Sequence, residues 1–185
     1  MDYETKPIKR IEIRAISCWI RNLFNQNDTL YFDVIKVFEI IHDYFHSITT
    51  EVISDDDNSI LDLNKPCACI PDMRGGYHIV IRESIYEGAC QGVGGYRSHI
   101  QHEISHSILC LLGFVPIIGR SYKNGELEAC RSMEWQAKAL TGETLVPFYK
   151  TKGMTVKQIK ESCGVSKDCA EMRLKIEKDK IKKMR

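Results

Sequence analysis

The sequence predicts an α+β fold: a small antiparallel or mixed sheet packed on helices, followed by a helix-turn-helix-like segment. Three observations predict it. Short β-branched runs lie in the middle of the 185-residue chain. Apolar residues at helical spacing flank them on both sides. The C-terminal stretch reads as helix, tight turn, helix. With 43% hydrophobic residues and only five prolines, the chain can bury a sizeable core. Residues 1–150 are expected to form the main unit, and residues 151–185 a helical segment packed on the same core.

Residues 8–25 place Ile11, Ile13, Ala15, Ile16, Trp19, Ile20 and Leu23 at mostly helical spacing. A second helix is predicted from Phe32 to about Phe45, burying Val34, Ile35, Val37, Phe38 and Ile41. "TTEVIS" (49–54) reads as a strand and "DDDNS" (55–59) as a polar turn. "PCACIP" (66–71) reads as another strand, with Cys67 and Cys69 on one face, and "DMRGG" (72–76) as a turn. "YHIVIRE" (77–83) is the clearest strand, with Ile79, Val80 and Ile81 at its centre. "YEGACQGVGG" (86–95) reads as a glycine-bearing loop leading to a helix from about Arg97 to Leu112, which Gly113 stops. A further helix is expected from Leu127 or later to about Gly142. Beyond Pro147, Thr155 caps a short helix, Gly164 makes the turn and Ser166 caps the last helix.

Net charge is +1, but residues 157–185 carry ten Lys/Arg against five Asp/Glu. A solvated helix face explains such a surplus more simply than nucleic-acid contact, so no nucleic-acid partner is expected. The eight cysteines contain no C-x2-C pair, which excludes a zinc knuckle or thioredoxin motif. The N-terminal residues lack the apolar stretch of a signal peptide. No run approaches the roughly 18 apolar residues of a membrane span. Free thiols, a cytoplasmic setting and no membrane partner are the expectation.

Chemistry concentrates in His102-Glu103-Ile104-Ser105-His106, which fits H-E-x-x-H. Histidines four apart share a helix face and can grip one tetrahedral metal. Glu103, about 100° round the helix from His102, stands beside such a metal as general base. "HDYFH" (42–46) repeats the spacing, but Asp43 is one methylene shorter and nothing downstream supplies a matched ligand. It is read as structural. A catalytic zinc needs a third protein ligand. Glu134, in a predicted helix 28 residues beyond His106, is one candidate; Glu126, Glu128 and Glu143 are rivals that spacing leaves open.

Three ordered blocks extend the pattern. "IYEGACQGVGGYRSHIQHEISHSILC" is similar to a "YEGAxxGxGRxRFTIAHELGHxxLH" stretch, "EWQAKALTGETLVP" (134–147) to "EWQAxxFAxELLMP", and "CGVSKDCAEMRL" to "GVSxxAAxxRL". Together they resemble the ImmA/IrrE-type metallo-endopeptidases, gluzincin-like zinc proteases, most strongly over residues 76–174. The resemblance implies a zincin-like metallopeptidase domain over 1–150 and one zinc ion per chain. It assigns His102, His106 and Glu134 as metal ligands and Glu103 as the catalytic residue. Arg97 matches an arginine of the pattern, structural or substrate-binding. Ser98, His99, Gln101, Ser105 and Cys110 depart from it, as do Thr141 and Thr144.

His99, one turn before His102, is expected in a polar supporting or structural role. Tyr96 and His78 are further candidates for substrate contact, and Tyr77, Tyr122 and Arg120 join them as candidates to steady an oxyanion. The resemblance implies a cytoplasmic, site-specific endopeptidase cutting a helix-turn-helix repressor of a mobile element, prophage or stress locus. "YHIVIRE" is expected to be the edge to which an extended substrate adds. Two alternatives stand beside it: a DNA-binding regulator using the basic C-terminal helices, and a protein-binding regulator, such as a sensor or toxin-antitoxin partner, with an idle metal site.

Overall fold

The β-branched run Ile79–Ile81 is buried on both faces, which a strand tolerates only with cover above and below. The structure, a computed structural model, describes residues 2–72, 74–122 and 126–183. Met73 of the predicted turn, and Met184 and Arg185 of the C-terminal segment, lie outside the described residues. In chain order the elements are β1 (Asp2–Tyr3), α1 (Arg10–Leu23), α2 (Val34–Tyr44), β2 (Ile48–Ile53), β3 (Cys67–Pro71), β4 (Tyr77–Arg82), α3 (Glu83–Cys90), α4 (Gly94–Leu111), β5 (Ser121–Tyr122), a 3-10 turn (Ala129–Arg131), α5 (Met133–Leu145), α6 (Val156–Cys163) and α7 (Lys167–Lys183). The chain is therefore mixed α+β, as expected.

The main sheet runs β2-β4-β3, with β2 parallel and β3 antiparallel to β4. This corrects the expectation that "YHIVIRE" is an open edge: its strand is central, and β3 is the edge beside α4. Ile79 and Ile81 join Ile100 and Ile104 of α4 in the main core. Val80 faces the other way, onto Ile53 and Leu61. Arg82, buried at the end of β4, donates to carbonyls of Ser54, Asp55, Asp57, Leu61, Asp62 and Lys65. One guanidinium thus folds the whole excursion between β2 and β3 around itself, satisfying carbonyls that no ladder reaches.

Helix boundaries differ from the pattern-based expectation for identifiable reasons. "YEGACQGVGG" is largely helical, ending α3 at Cys90 and leaving only three residues before α4. Two of its glycines serve close approach: a Cβ on Gly88 would strike the Tyr96 ring, and one on Gly94 the backbone of Val165 and Ser166, while Gly92, at φ 82°, follows the end of α3 as a helix-stopping glycine does. On α1 the buried face is Ile13, Arg14, Ser17, Ile20 and Arg21, whereas Ile11 and Trp19 are exposed. Arg14 reaches Glu143 at 3.1 Å and Arg21 the carbonyl of Thr144 at 2.6 Å, so arginines join the buried Ile13 and Ile20 in tying α1 to α5. α5 begins at Met133 because Ser132 caps it, its Oγ accepting from Trp135 N.

The C-terminal helices follow the predicted punctuation. Thr155 and Gln158 form a capping box, Gly164 turns at φ 62°, and Ser166 Oγ accepts from Cys169 N. Ile159, Cys163, Val165 and Ala170 belong to the same core as the sheet and α4. Arg97 makes the tie. Fully buried, it donates to the carbonyls of Cys163, Gly164 and Phe32 and stacks 4.0 Å from the Tyr31 ring. The β1–β5 pairing was not legible in the sequence; both strands are two residues long. Among the described residues no helix is long and apolar enough to cross a membrane. All eight cysteines are free.

Replacing Arg97 leaves three carbonyls in the interior without a donor, each costing about 1–3 kcal/mol. Arg97→Ala is expected to destabilise the metal-free protein by about 3 kcal/mol or more. Equilibrium denaturant unfolding checks it; an unchanged midpoint would show that the turn holds itself.

Candidate metal centre

His102 and His106 lie one turn apart on α4, and their Nε2 atoms are 3.0 Å from each other. Glu134 Oε2 is 3.5 Å from His102 Nε2, and its Oε1 3.3 Å from His106 Nε2. Three atoms bonded to one tetrahedral ion at about 2.0–2.1 Å stand roughly 3.3–3.4 Å apart. The two imidazoles are at about that spacing, each carboxylate oxygen of Glu134 stands near one of them, and one ligand atom from each of the three residues lies within 4.8 Å of the others, so the group could hold a metal ion. His102, His106 and Glu134 are the one such group of three among the described residues. Hydrogen bonds from His102 and His106 hold the Glu134 carboxyl well below the usual carboxylate range. Its contribution to folding is therefore present above the ordinary carboxylate pKa and is lost as pH falls below it.

Glu134 occupies the first turn of α5, so the start of that helix sets the ligand's position. The N-terminal residues fix that start. Asp2 accepts from Ser132 Oγ at 2.6 Å and from Glu134 N at 3.2 Å. Gln136 donates to the carbonyls of Lys6 and Cys130. Glu4, almost wholly buried, takes Arg120 at 3.1 Å and Arg131 at 3.3 Å. Sequence reading missed Asp2 and Glu4, because the partners that explain them lie more than 110 residues away.

The α4–α5 seam carries three of the residues that depart from the resembled pattern, and they meet one another. Ser105 Oγ donates to the Gln101 carbonyl at 2.7 Å and lies 3.1 Å from Thr141 Oγ1. Gln101 Nε2 donates to Ser105 Oγ at 3.4 Å. Gln101 thus faces α5, not the metal, and a polar network replaces part of an apolar seam.

Glu103 turns to the sheet. Its Oε2 accepts from Cys69 N on the outer edge of β3 at 2.8 Å, and its Oε1 lies 3.6 Å from Cys67 Sγ. Burial, reinforced by the Glu103 carboxylate, pushes both thiols up, so they remain protonated. The Cys67 thiol can donate to Glu103, and neither can act as a thiolate.

The other candidates divide. Arg97 is structural, as described. His78 lies on the far face of the sheet with Val80, where it pairs with Thr49 and Glu51 at 2.8 Å each, so it does not join the centre. Tyr96 covers Gly88, and His99 is exposed one turn before His102. Tyr77, its hydroxyl pushed up to about 12 chiefly by burial, lies beside Cys110. Tyr122 and Arg120 are engaged with Glu4. Among the rival ligands, Glu143 binds Arg10 and Arg14, Glu128 pairs with Arg131, and Glu126 is outside the group of three.

"HDYFH" fails for a structural reason. α2 ends at Tyr44 and Phe45 leaves the helical region, so His46 is off the helix that carries His42. His42 instead stands 3.2 Å from Asp43. No family model matches the chain, and no curated protein matches it. The chemistry of the centre is defined by its own side chains.

One divalent ion per chain is expected, read by native mass spectrometry after metal titration. His106→Ala or Glu134→Ala should weaken binding by at least about a hundredfold, and Asp2→Ala, which removes only an outer partner, by about tenfold. Equal affinity in all variants would place the ion elsewhere.

Proposed function

We propose that the protein is a zinc-dependent endopeptidase of zincin-like architecture, cutting a specific polypeptide. The observation that carries the reading is the His102–His106–Glu134 group, whose ligand atoms lie within 4.8 Å of one another and offer nitrogen and oxygen donors to a tetrahedral ion. Two imidazoles and one carboxylate form the His2Glu donor set of catalytic zinc, which leaves a fourth position open. Zinc held there supplies Lewis-acid activation of water and of the scissile carbonyl.

The chain's own residues do the rest. Glu103 is next in sequence to one ligand and is not one of the group of three, so its carboxylate is kept as a base. Cys69 N–H fixes Oε2, leaving Oε1 to take a proton from the attacking water and return it to the leaving amine. The Cys67 thiol, 3.6 Å from Oε1, can shift its weak hydrogen bond as that proton arrives. β3 is the free edge beside Glu103, which favours an extended substrate strand added there, not on β4. The resemblance to ImmA/IrrE-type proteases points to a helix-turn-helix repressor as the substrate and to a cytoplasmic setting.

The C-terminal helices fit this reading better than DNA binding. Arg173 is buried on Thr151 and the Phe148 carbonyl, and Lys167 pairs with Glu171, so these cations face protein groups. Glu103→Gln is expected to keep zinc while losing about 10²–10⁴-fold in cleavage, the scale of general-base catalysis. His102→Ala should lose both. Incubation with the neighbouring repressor-like gene product, with and without chelator and read by mass, checks this; full cleavage by Glu103→Gln would sink the hydrolytic mechanism.

A further inference from the structure

Three of the six histidines, His42, His46 and His78, lie away from the metal centre, and one of them is held in an ordered array on the far face of the sheet. Alternation along β2 puts Thr49 and Glu51 on one face, and the parallel register sets His78 of β4 beside Thr49. The His78 ring bridges the two. Its Nδ1 is 2.8 Å from Thr49 Oγ1, and its Nε2 is 2.8 Å from Glu51 Oε2. One neutral tautomer satisfies both contacts: Nε2–H donates to the carboxylate, and the Nδ1 lone pair accepts from the hydroxyl.

A hydroxyl, a base within hydrogen-bond reach and a third group that orients the base are the parts of an activated nucleophile. Such arrays are recognised by geometry and role, not by chain order. Thr49 also borders a concavity of ≈ 410 Å³, lined by His42, His46, Ile48, Thr49 and Thr50. That volume is within the range of small-molecule sites. β2 is the outer strand on this side of the sheet. Tyr77 N donates to the Ser47 carbonyl, so strand alternation turns the Thr50 N–H off the sheet edge. There it meets no neighbouring strand and can donate to an oxyanion.

We propose that Thr49, His78 and Glu51 form a second catalytic site, independent of the metal, that hydrolyses short-chain acyl esters. Thr49 Oγ1 attacks the ester carbonyl while His78 Nδ1 takes the hydroxyl proton. The bond to the alcohol oxygen breaks, His78 protonates the departing alkoxide, and acyl-Thr49 remains. Water then attacks the acyl carbonyl and gives a proton to His78. The carboxylic acid leaves, and the proton returns to Thr49 Oγ1. Glu51 is a positioning residue: it fixes the ring and stabilises the imidazolium that forms in each step. Thr49 and Glu51 are exposed, and threonine's branched Cβ is stiff and crowded. Those features restrict the site to small acyl groups with good leaving groups and exclude amides.

The test uses the full chain carrying Glu103→Gln, with chelator present, so that the metal centre contributes nothing. p-Nitrophenyl acetate should be turned over repeatedly, with an acetyl group mapped to Thr49 by peptide mass spectrometry of quenched samples. Thr49→Val, which keeps the shape and removes the hydroxyl, and His78→Gln should each lower turnover by about 10²-fold or more, the scale of general-base catalysis. Thr49→Ser should retain it. Glu51→Gln should lower the rate at saturating ester about tenfold, less than loss of a buried carboxylate costs. The half-saturating concentration should stay unchanged, a split that partial unfolding does not produce. Turnover that survives Thr49→Val, or acetyl groups found only on other residues, would overturn the proposal and leave the zinc reading untouched.

Discussion

Everything at the candidate centre depends on bringing a carboxylate on one helix to within 3.5 Å of two imidazoles on another. Helix packing alone fixes interaxial geometry loosely, with distances of about 8–10 Å set by the side chains between. The chain adds specific polar locks at several points. Ser105 meets Thr141 in the seam, Glu143 meets Arg14 from α1, and Asp2 holds the first turn of α5. Each lock removes a degree of freedom that would let Glu134 drift. The candidate metal centre is the product of a preorganised scaffold, the condition under which ligand geometry can discriminate among ions.

Buried arginine is the device the chain uses repeatedly. Arg21, Arg82, Arg97 and Arg173 each direct a guanidinium to backbone carbonyls of loops or turns. Desolvation lowers the pKa of Arg21, Arg97 and Arg173, the direction expected when a cation is withdrawn from water. Several carbonyl dipoles, and the rings of Phe32, Tyr31 and Phe148, offset that cost. The planar five-donor fork makes this possible where lysine could not. It also explains why a chain with long connections between short strands keeps them ordered. The loops are fastened from inside by side chains that belong to helices and strands.

Much of the architecture was legible. The strands at 49–54, 66–71 and 77–83, the caps at Thr155, Gly164 and Ser166, and the helical spacing of His102 and His106 all recur in the fold, because each is set by neighbours within a few residues. Misreadings followed one rule. Gly88 and Gly94 resemble breakers until Tyr96 and Val165 arrive against them. Ile11 and Trp19 resemble core until Arg14 and Arg21 take the inner face of α1. "YHIVIRE" resembles an edge until β2 and β3 flank it. In each case the deciding partner lies far along the chain.

By itself, then, the sequence determined the α+β class, the strand and cap positions, and a histidine pair that one turn of helix must bring together. Those are consequences of local periodicity and of the geometry of a single helix. Only the tertiary structure decided which of four glutamates completes the centre, that Glu103 leans on Cys69 of an edge strand, and that His78 stands behind the sheet. It alone revealed that His46 has left its helix. Spacing fixes what lies within one element; which faces meet is decided by burial and by polar partners that approach only when the chain is folded.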